Sequence, residues 1–355
     1  MQDIVSVGVV GCGYWGPNLI RNFRALPGCK LKLICDTKVE RLKHLIALYP
    51  EVEGDHRFET LLNGANLDAI AIATPVHLHH GLAKACLLAG KHTFIEKPMA
   101  SSSKECAELV KIARERNLIL MVGHTFLYSP AVRKIQEIIG TGEIGEIRYI
   151  SARRLNLGLF QKDINVVWDL APHDISIIVQ LMGEMPCAVN CQGRATVSGG
   201  IEDVSNTTLI FKNSFASIQN SWLDPKKVRE MTIVGTKKMI VYDDMEPLQK
   251  IKIFDERVDR PPHYDTFAEF QYSYHYGDMQ APYIKQEEPL KVECQHFLDC
   301  IRSGERPLSC GSKGLELVRI LEAASRSLKK NGSRVYMTPA PVKAPALAKS
   351  LAVAS

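Results

Sequence analysis

This 355-residue sequence predicts an α/β fold: an N-terminal doubly wound parallel sheet, then an α+β unit whose open sheet is largely antiparallel. Three observations carry that expectation. Short apolar runs without alternation recur between helical patterns through the first 124 residues, the mark of strands buried on both faces. A glycine-rich turn stands directly after the first of these runs. Beyond residue 140 the order changes to a run of strands flanked by helices, as in an α+β layer.

Ile4 to Val10 is the first strand, and Pro17 to Leu26 the helix after the turn. Leu31 to Cys35, Ala69 to Ala73, Thr93 to Ile95 and Leu118 to Val122 read as further strands. Helices are expected over Val39–Leu48, Leu78–Ala89 and Lys104–Arg116, the last with capping serines at Ser101 to Ser103. The pattern then gives a helix over Pro130–Ile139, a long strand over Ile144–Leu155, and a helix from Trp168 through Leu181. Strand-like runs follow at Val189–Val197, Val204–Phe211, Phe215–Trp222, Met231–Val234, Met239–Tyr242 and Ile251–Phe254, with a hairpin turn at Lys212-Asn213-Ser214. Two helices close the pattern near Val292–Ile301 and Leu315–Lys329. The expected organisation is therefore 1–124, 125–337 and a flexible Pro/Ala/Lys tail at 338–355, with the junction at His124 to Tyr128.

Composition excludes several classes. A hydrophobic fraction of 46% with 23% charged residues is that of a globular chain, and no apolar run is long enough to span a bilayer. The N-terminus carries Asp3 and enters a strand at once, unlike a signal peptide, so a cytoplasmic protein is expected. Ten scattered cysteines form no C-x-x-C pair, so neither disulfides nor a metal site is expected. The net charge of +5 is mild and lacks a basic tract with interleaved aromatics, which argues against a nucleic-acid partner.

The turn is Gly11-Cys12-Gly13-Tyr14-Trp15-Gly16, a G-x-G-x-x-G between strand and helix. The first glycine makes the tight turn, the second admits a pyrophosphate, and the third lets helix and strand pack closely. The helix N-terminus offers free N–H groups to the phosphates. Asp36 ends the second strand, placed to accept from the adenosine ribose hydroxyls and to repel a 2′-phosphate. This is a Rossmann dinucleotide site favouring NAD, a preference that Lys38 and Arg41 nearby weaken.

Hydride transfer at a carbinol needs a group for the hydroxyl proton and one for charge on oxygen. Glu96-Lys97-Pro98 follows the fourth strand, where a lysine meets a ligand at the carboxyl ends; from position alone a solvated lysine fits as well or better. In Trp168-Asp169-Leu170-Ala171-Pro172-His173-Asp174, Asp169 and His173 share a helix face and could orient the imidazole; a capping Asp with a solvent-facing His fits the spacing equally.

Gly11–Gly16, Glu96-Lys97-Pro98 and Asp169-x-x-x-His173, in this order and separation, resemble the glucose–fructose oxidoreductase / inositol dehydrogenase (Gfo/Idh/MocA) family over about residues 4 to 335. The resemblance implies that Lys97 and His173 are catalytic with Asp169 assisting, and that Thr74, Pro75, His77 and Glu96 join Gly11, Gly13, Tyr14, Trp15, Gly16 and Asp36 at the cofactor. The loop position of His77, His79 and His80 fits cofactor contact or surface rather than a metal. Gly13 to Asn18 and Trp168 to Asp174 are similar to the branch acting on nucleotide sugars, which includes UDP-N-acetylglucosamine 3-dehydrogenases. His124, Tyr128, Arg154, Asn156 and Trp168 are the candidates for substrate contact, with Arg153 and Lys162 nearby; an exposed basic strand fits the arginines as well.

The expectation is an NAD-dependent oxidation of a ring hydroxyl, C3 of a nucleotide sugar, by a homodimer or homotetramer built through the C-terminal sheet. A ketosugar reductase or a free-sugar or inositol dehydrogenase would use the same residues. A non-catalytic dinucleotide-binding regulator has no need of Lys97 and His173.

Overall fold

The structure, a computed structural model, describes residues 4–63, 66–197, 199–259 and 272–337. The expected tail at 338–355 lies outside them. The apolar run Val5–Val10 is β1, buried along its whole length. It pairs in parallel with β2 (Cys29–Cys35) on one side and β4 (Ala69–Ile72) on the other. The six strands run β3 (Glu53–Asp55), β2, β1, β4, β5 (His92–Glu96), β6 (Leu120–Gly123), all parallel. The order reverses between β1 and β4, so a crevice opens at their carboxyl ends. Gly11, Thr74, Lys97 and His124 follow β1, β4, β5 and β6 and therefore rim one crevice.

Helices α1 (Gly16–Ala25), α2 (Val39–Leu48), α4 (Val76–Leu88) and α5 (Ser103–Glu115) match the expected segments to within about two residues. The edge strand β3 and α3 (Phe58–Asn63) are additions, because Glu53-Gly54-Asp55 carries no apolar signal.

After a 3₁₀ turn at Thr125–Tyr128 and α6 (Pro130–Gly140), β7 (Ile147–Leu157) starts the second sheet. Then come α7 (Val166–Met182), β8 (Ala188–Arg194), β9 (Val204–Ile210), β10 (Phe215–Ser221), β11 (Leu223–Gly235), β12 (Met239–Asp243), β13 (Ile251–Asp259) and β14 (Ser273–Gln280). Helices α8 (Pro289–Ser303) and α9 (Gly311–Leu328) and the short β15 (Val335–Tyr336) complete it. The sheet order is β14-β13-β12-β11-β7-β10-β9-β8-β15, antiparallel except for β7 against β10. β9 and β10 form the hairpin around Lys212 to Ser214. β11 begins eight residues before the expected Met231, because Leu223 to Glu230 is mostly polar and its register shifts between Leu223 and Val228.

Side chains of α7 and α9 bury one face of this sheet against Ile150, Ile218, Ile233 and Leu209. α8 returns to the first sheet. Its Leu290, Cys294, Phe297 and Leu298 enter a core with Phe23 and Phe94, the three phenylalanine rings meeting edge-on at 5.8–6.3 Å. α8 thus follows the second sheet in sequence but covers the first: periodicity shows that a helix has an apolar face, not which sheet it covers. Burying each such ring is worth about 1.5–3 kcal/mol, so the two halves are joined firmly.

Candidate active site

Gly11 takes φ +94°, and a Cβ there would lie 2.6 Å from the Ala73 backbone. A Cβ on Gly16 would strike the Gly11 carbonyl oxygen. At Gly13 it would meet nothing nearer than Arg41 at 3.6 Å, so this backbone faces open space. The N-terminus of α1 has no side-chain cap and no acidic residue in its first turn. Free N–H groups beside an open groove fit a dinucleotide pyrophosphate.

Asp36 is buried at the end of β2. Its Oδ2 accepts from the Cys12 N–H at 2.7 Å and its Oδ1 from the Lys38 N–H at 2.8 Å, with the Arg41 guanidinium 3.3 Å away. Trp15 reaches from the turn to donate its indole N–H to Glu96 Oε1 at 2.6 Å, while Tyr14 is exposed. Burial pushes the Glu96 carboxyl up to about 7 against the pull of Lys97 and Trp15. Glu293, from α8, is wholly buried near it. Thr125 Oγ1 donates to Glu293 Oε2 at 2.7 Å, Oε1 has no partner, and burial drives this carboxyl well above its usual range.

Thr74 and Pro75 lie on the loop into α4 as expected. His77 is exposed and stands 4.0 Å from Asp163. His79 is the buried member of the trio, its ring bridging the carbonyl oxygens of Thr74 at 2.8 Å and Pro98 at 2.9 Å. It ties together two loops of the crevice, and only its place one helical turn beyond Pro75 could have signalled this. Among the described residues no three His, Cys, Asp or Glu side chains gather as a metal set would.

Lys97 reaches α7 one helical turn before His173. Lys97 Nζ donates to the Asp169 carbonyl at 2.8 Å and lies 3.4 Å from Asp169 Oδ1. His173 is one helical turn further on the same face. Its ring stands edge-on to Phe126 at 5.1 Å, and Nδ1 has no partner. Burial, then Lys97, Arg154 and Arg229, hold the imidazole well below its usual pKa, so it is neutral at physiological pH. Asp169 does not hydrogen-bond to His173. Its Oδ2 instead accepts from the indole N–H of Trp222 at 3.1 Å, so the expected Asp169–imidazole pairing is replaced by an Asp169–Lys97 pairing. The i, i+4 spacing put the two on one face, but the lysine reaches the carboxylate from the end of β5, 72 residues earlier.

The substrate candidates divide. Trp168 lines a cavity of ≈ 290 Å³ with Val76, His77, Ser101, Asp163 and Asn165, its N–H occupied by Ser325 at 2.8 Å. Asn156 is half-buried beside Gly158 and Trp222. His124 is buried with neither ring nitrogen partnered. Tyr128 is a correction: it is fully buried, its hydroxyl bonded to Ser309 Oγ at 2.9 Å, and burial raises its pKa beyond any use as a base. Arg154 is another. It makes a two-point pair with Asp174 at 2.8 and 2.9 Å and stacks on Phe126, buried from the solvent side where a diphosphate would approach. Arg229, missed in the sequence, is the more accessible cation at Phe126 and pairs with Asp244 at 3.2 Å.

Comparison with known proteins follows this geometry. The family model described as "Oxidoreductase family, NAD-binding Rossmann fold" matches residues 5–124, and the GFO/IDH/MocA C-terminal domain matches residues 132–241. The chain belongs to the Gfo/Idh/MocA oxidoreductase family. It thus carries the family's NAD-binding Rossmann domain. A UDP-N-acetylglucosamine 3-dehydrogenase of Acidithiobacillus ferrooxidans is 27% identical, over 90% of this chain and 95% of that protein. A myo-inositol 2-dehydrogenase of Thermotoga maritima is 23% identical over 93% and 98%. Among solved structures, GenD2 from gentamicin A biosynthesis in complex with NAD superposes with a TM-score of 0.80 at 20% identity, over 96% of this chain and 98% of that one. No helix among the described residues is long and apolar enough to cross a membrane.

Proposed function

We propose that this member of the family is an NAD-dependent dehydrogenase that oxidises a ring hydroxyl, at C3, of a nucleotide sugar such as UDP-N-acetylglucosamine to the 3-keto sugar. The observation that carries this reading is the Lys97 ammonium held on Asp169 of α7 one helical turn before the buried His173, whose pKa its charge lowers, at the rim of the dinucleotide crevice. NAD, when bound, supplies the hydride acceptor. Gly11, Gly13 and Gly16 with the N-terminus of α1 would hold its pyrophosphate, and Asp36 would take the adenosine ribose and disfavour a 2′-phosphate. Glu96, Thr74 and Pro75, with Trp15 tied to Glu96, would border the nicotinamide end.

His173 takes the proton of the reacting hydroxyl. A base must be unprotonated to do so, and burial beside three cations keeps it that way. The same cations make the imidazolium give up its proton readily once the product leaves. Lys97 has three N–H bonds; two point at Asp169, and the third is left for the reacting oxygen, where it offsets developing negative charge. The cavity bounded by Trp168 and Asn165 gives room for the substrate beyond the reacting ring. The 27% likeness to the nucleotide-sugar enzyme over nearly its whole length supports the substrate class. The likeness to the inositol dehydrogenase keeps a free cyclitol or sugar as the second reading.

In this proposal residues 1–124 bind the cofactor and 125–337 the substrate, and copies associate through the C-terminal sheet, where exposed Tyr149 and Phe215 stack at 5.6 Å. The enzyme works in the cytoplasm. A screen of UDP- and dTDP-sugars beside inositols and free sugars, read as NADH formation with a 2-oxoglutarate-driven recycling system present, tests it. Turnover of a UDP-N-acetylhexosamine is the expected result; turnover of inositols or free sugars alone would move the assignment to the second reading.

A further inference from the structure

Trp222 lies outside every segment that the sequence singled out for chemistry, yet it touches the catalytic constellation. It follows β10, is 1% exposed, and aims its indole N–H at Asp169 Oδ2, 3.1 Å away. The other carboxylate oxygen and the carbonyl of the same residue face Lys97 Nζ at 3.4 and 2.8 Å. Tryptophan's N–H only donates, so the direction of this bond is fixed, and one carboxylate oxygen is reserved for it. The other is thereby turned toward the ammonium.

The ring itself is held from several sides. Phe160 packs on it with centroids 5.4 Å apart. The Trp222 backbone N–H donates to Asp203 O at 3.0 Å, and its carbonyl accepts from the Gly158 N–H at 2.9 Å. A Cβ on Gly158 would lie 2.9 Å from Trp222 Cδ1, so glycine there lets the 158–160 segment close down on the indole. A buried ring needing only a partner for its N–H could have used a backbone carbonyl. This one uses the carboxylate that positions the lysine.

We propose that Trp222 is a positioning residue, which acts through Asp169 to hold the Lys97 ammonium where its third N–H meets the reacting oxygen. The proposal rests on the assignment of Lys97 and Asp169 to the reaction.

The test compares Trp222→Phe, Asp169→Asn and the double variant, with Gly158→Ala as a second way to displace the ring without deleting its N–H. Two readouts are taken. The first is steady-state kinetics on the sugar nucleotide that the enzyme oxidises. Trp222→Phe should lower kcat about tenfold, the size of one hydrogen bond to a charged group, with KM and NAD affinity within about threefold. On the Asp169→Asn background the same change should cost less than about twofold, since the amide oxygen can still accept from the indole but the neutral side chain no longer holds the ammonium. Gly158→Ala should reproduce the kcat loss. The second readout needs no substrate: the rate at which methyl acetimidate amidinates Lys97, followed by peptide mass spectrometry. It should rise severalfold in Trp222→Phe and in Asp169→Asn, and no further in the double variant. Equal losses from Trp222→Phe on both backgrounds, a loss confined to KM or NAD binding, or Lys97 labelling unchanged by Trp222→Phe would each overturn the proposal. A wild-type protein that oxidises no sugar nucleotide would refute the assigned function instead, while the labelling still decides the role of Trp222.

Discussion

His124 makes the fold acid-sensitive, and replacing it with phenylalanine should remove a measurable part of that sensitivity. The residue follows β6, is buried, and has no partner on either ring nitrogen. Burial, reinforced by the charge of Lys97, lowers its pKa from 6.5 to about 4. A base whose folded pKa is depressed adds nothing above its unfolded pKa, where both states are neutral. As pH falls below 6.5 the unfolded chain takes up the proton and the folded chain does not, so stability falls until the folded pKa near 4 is reached. The full penalty is about 3 kcal/mol, and about 2 kcal/mol of it has developed by about pH 5. Phenylalanine has similar bulk and a cavity of ≈ 20 Å³ beside the ring gives it room, so His124→Phe should fold. Urea unfolding at about pH 7.5 and about pH 5 gives the measurement. The wild type should lose about 2 kcal/mol more than the variant between these two conditions. His173 and His79 are also depressed and contribute to the loss in both proteins, so the difference isolates His124. An equal loss in the two proteins would show that His124 is solvated or partnered in solution, and the reasoning would fail.

Three further outcomes are expected. Gly13→Val should abolish NAD binding in titration calorimetry while the thermal unfolding of the chain is kept, because the added side chain would fill the open groove beside Arg41. His173→Ala and Lys97→Ala should each lower kcat by at least about a hundredfold with NAD affinity preserved, and together by less than the product of the two; a His173→Ala enzyme within a few-fold of wild type would move the proton to another group. Arg154→Met strands the Asp174 carboxylate in a site where the pair is only 7% and 5% exposed, which should cost about 3–5 kcal/mol in urea unfolding, and Arg154→Met/Asp174→Leu should recover most of it.

The sequence by itself determined the buried strands of the first sheet and the dinucleotide turn, and it marked Lys97 and His173 as candidates. Each of these is a local pattern. An apolar run between helices, three glycines with separate steric duties, a lysine after a strand and a histidine on a helix can all be read within a dozen residues. Resemblance to the family then tied the three motifs into one site. The nine-stranded sheet was half legible: strands with apolar alternation stood out, but the polar first half of Leu223–Gly235 and the exposed Ser273–Gln280 did not, just as polar Glu53–Asp55 did not at the edge of the first sheet.

Which partner each side chain meets was decided only by the tertiary structure. Asp169 could have faced His173, four residues on; instead Lys97, 72 residues earlier, and Trp222, 53 residues later, claim its oxygens. Arg154 looked free for a diphosphate, but pairing with Asp174 and stacking on Phe126 remove it. Tyr128 looked free for substrate contact, but its hydroxyl is buried against Ser309, 181 residues away. Helical and strand periodicities record which face of an element is apolar. They carry no information on long-range pairing, where a buried polar group must find its partner across the fold because leaving it unpaired costs about 1–3 kcal/mol.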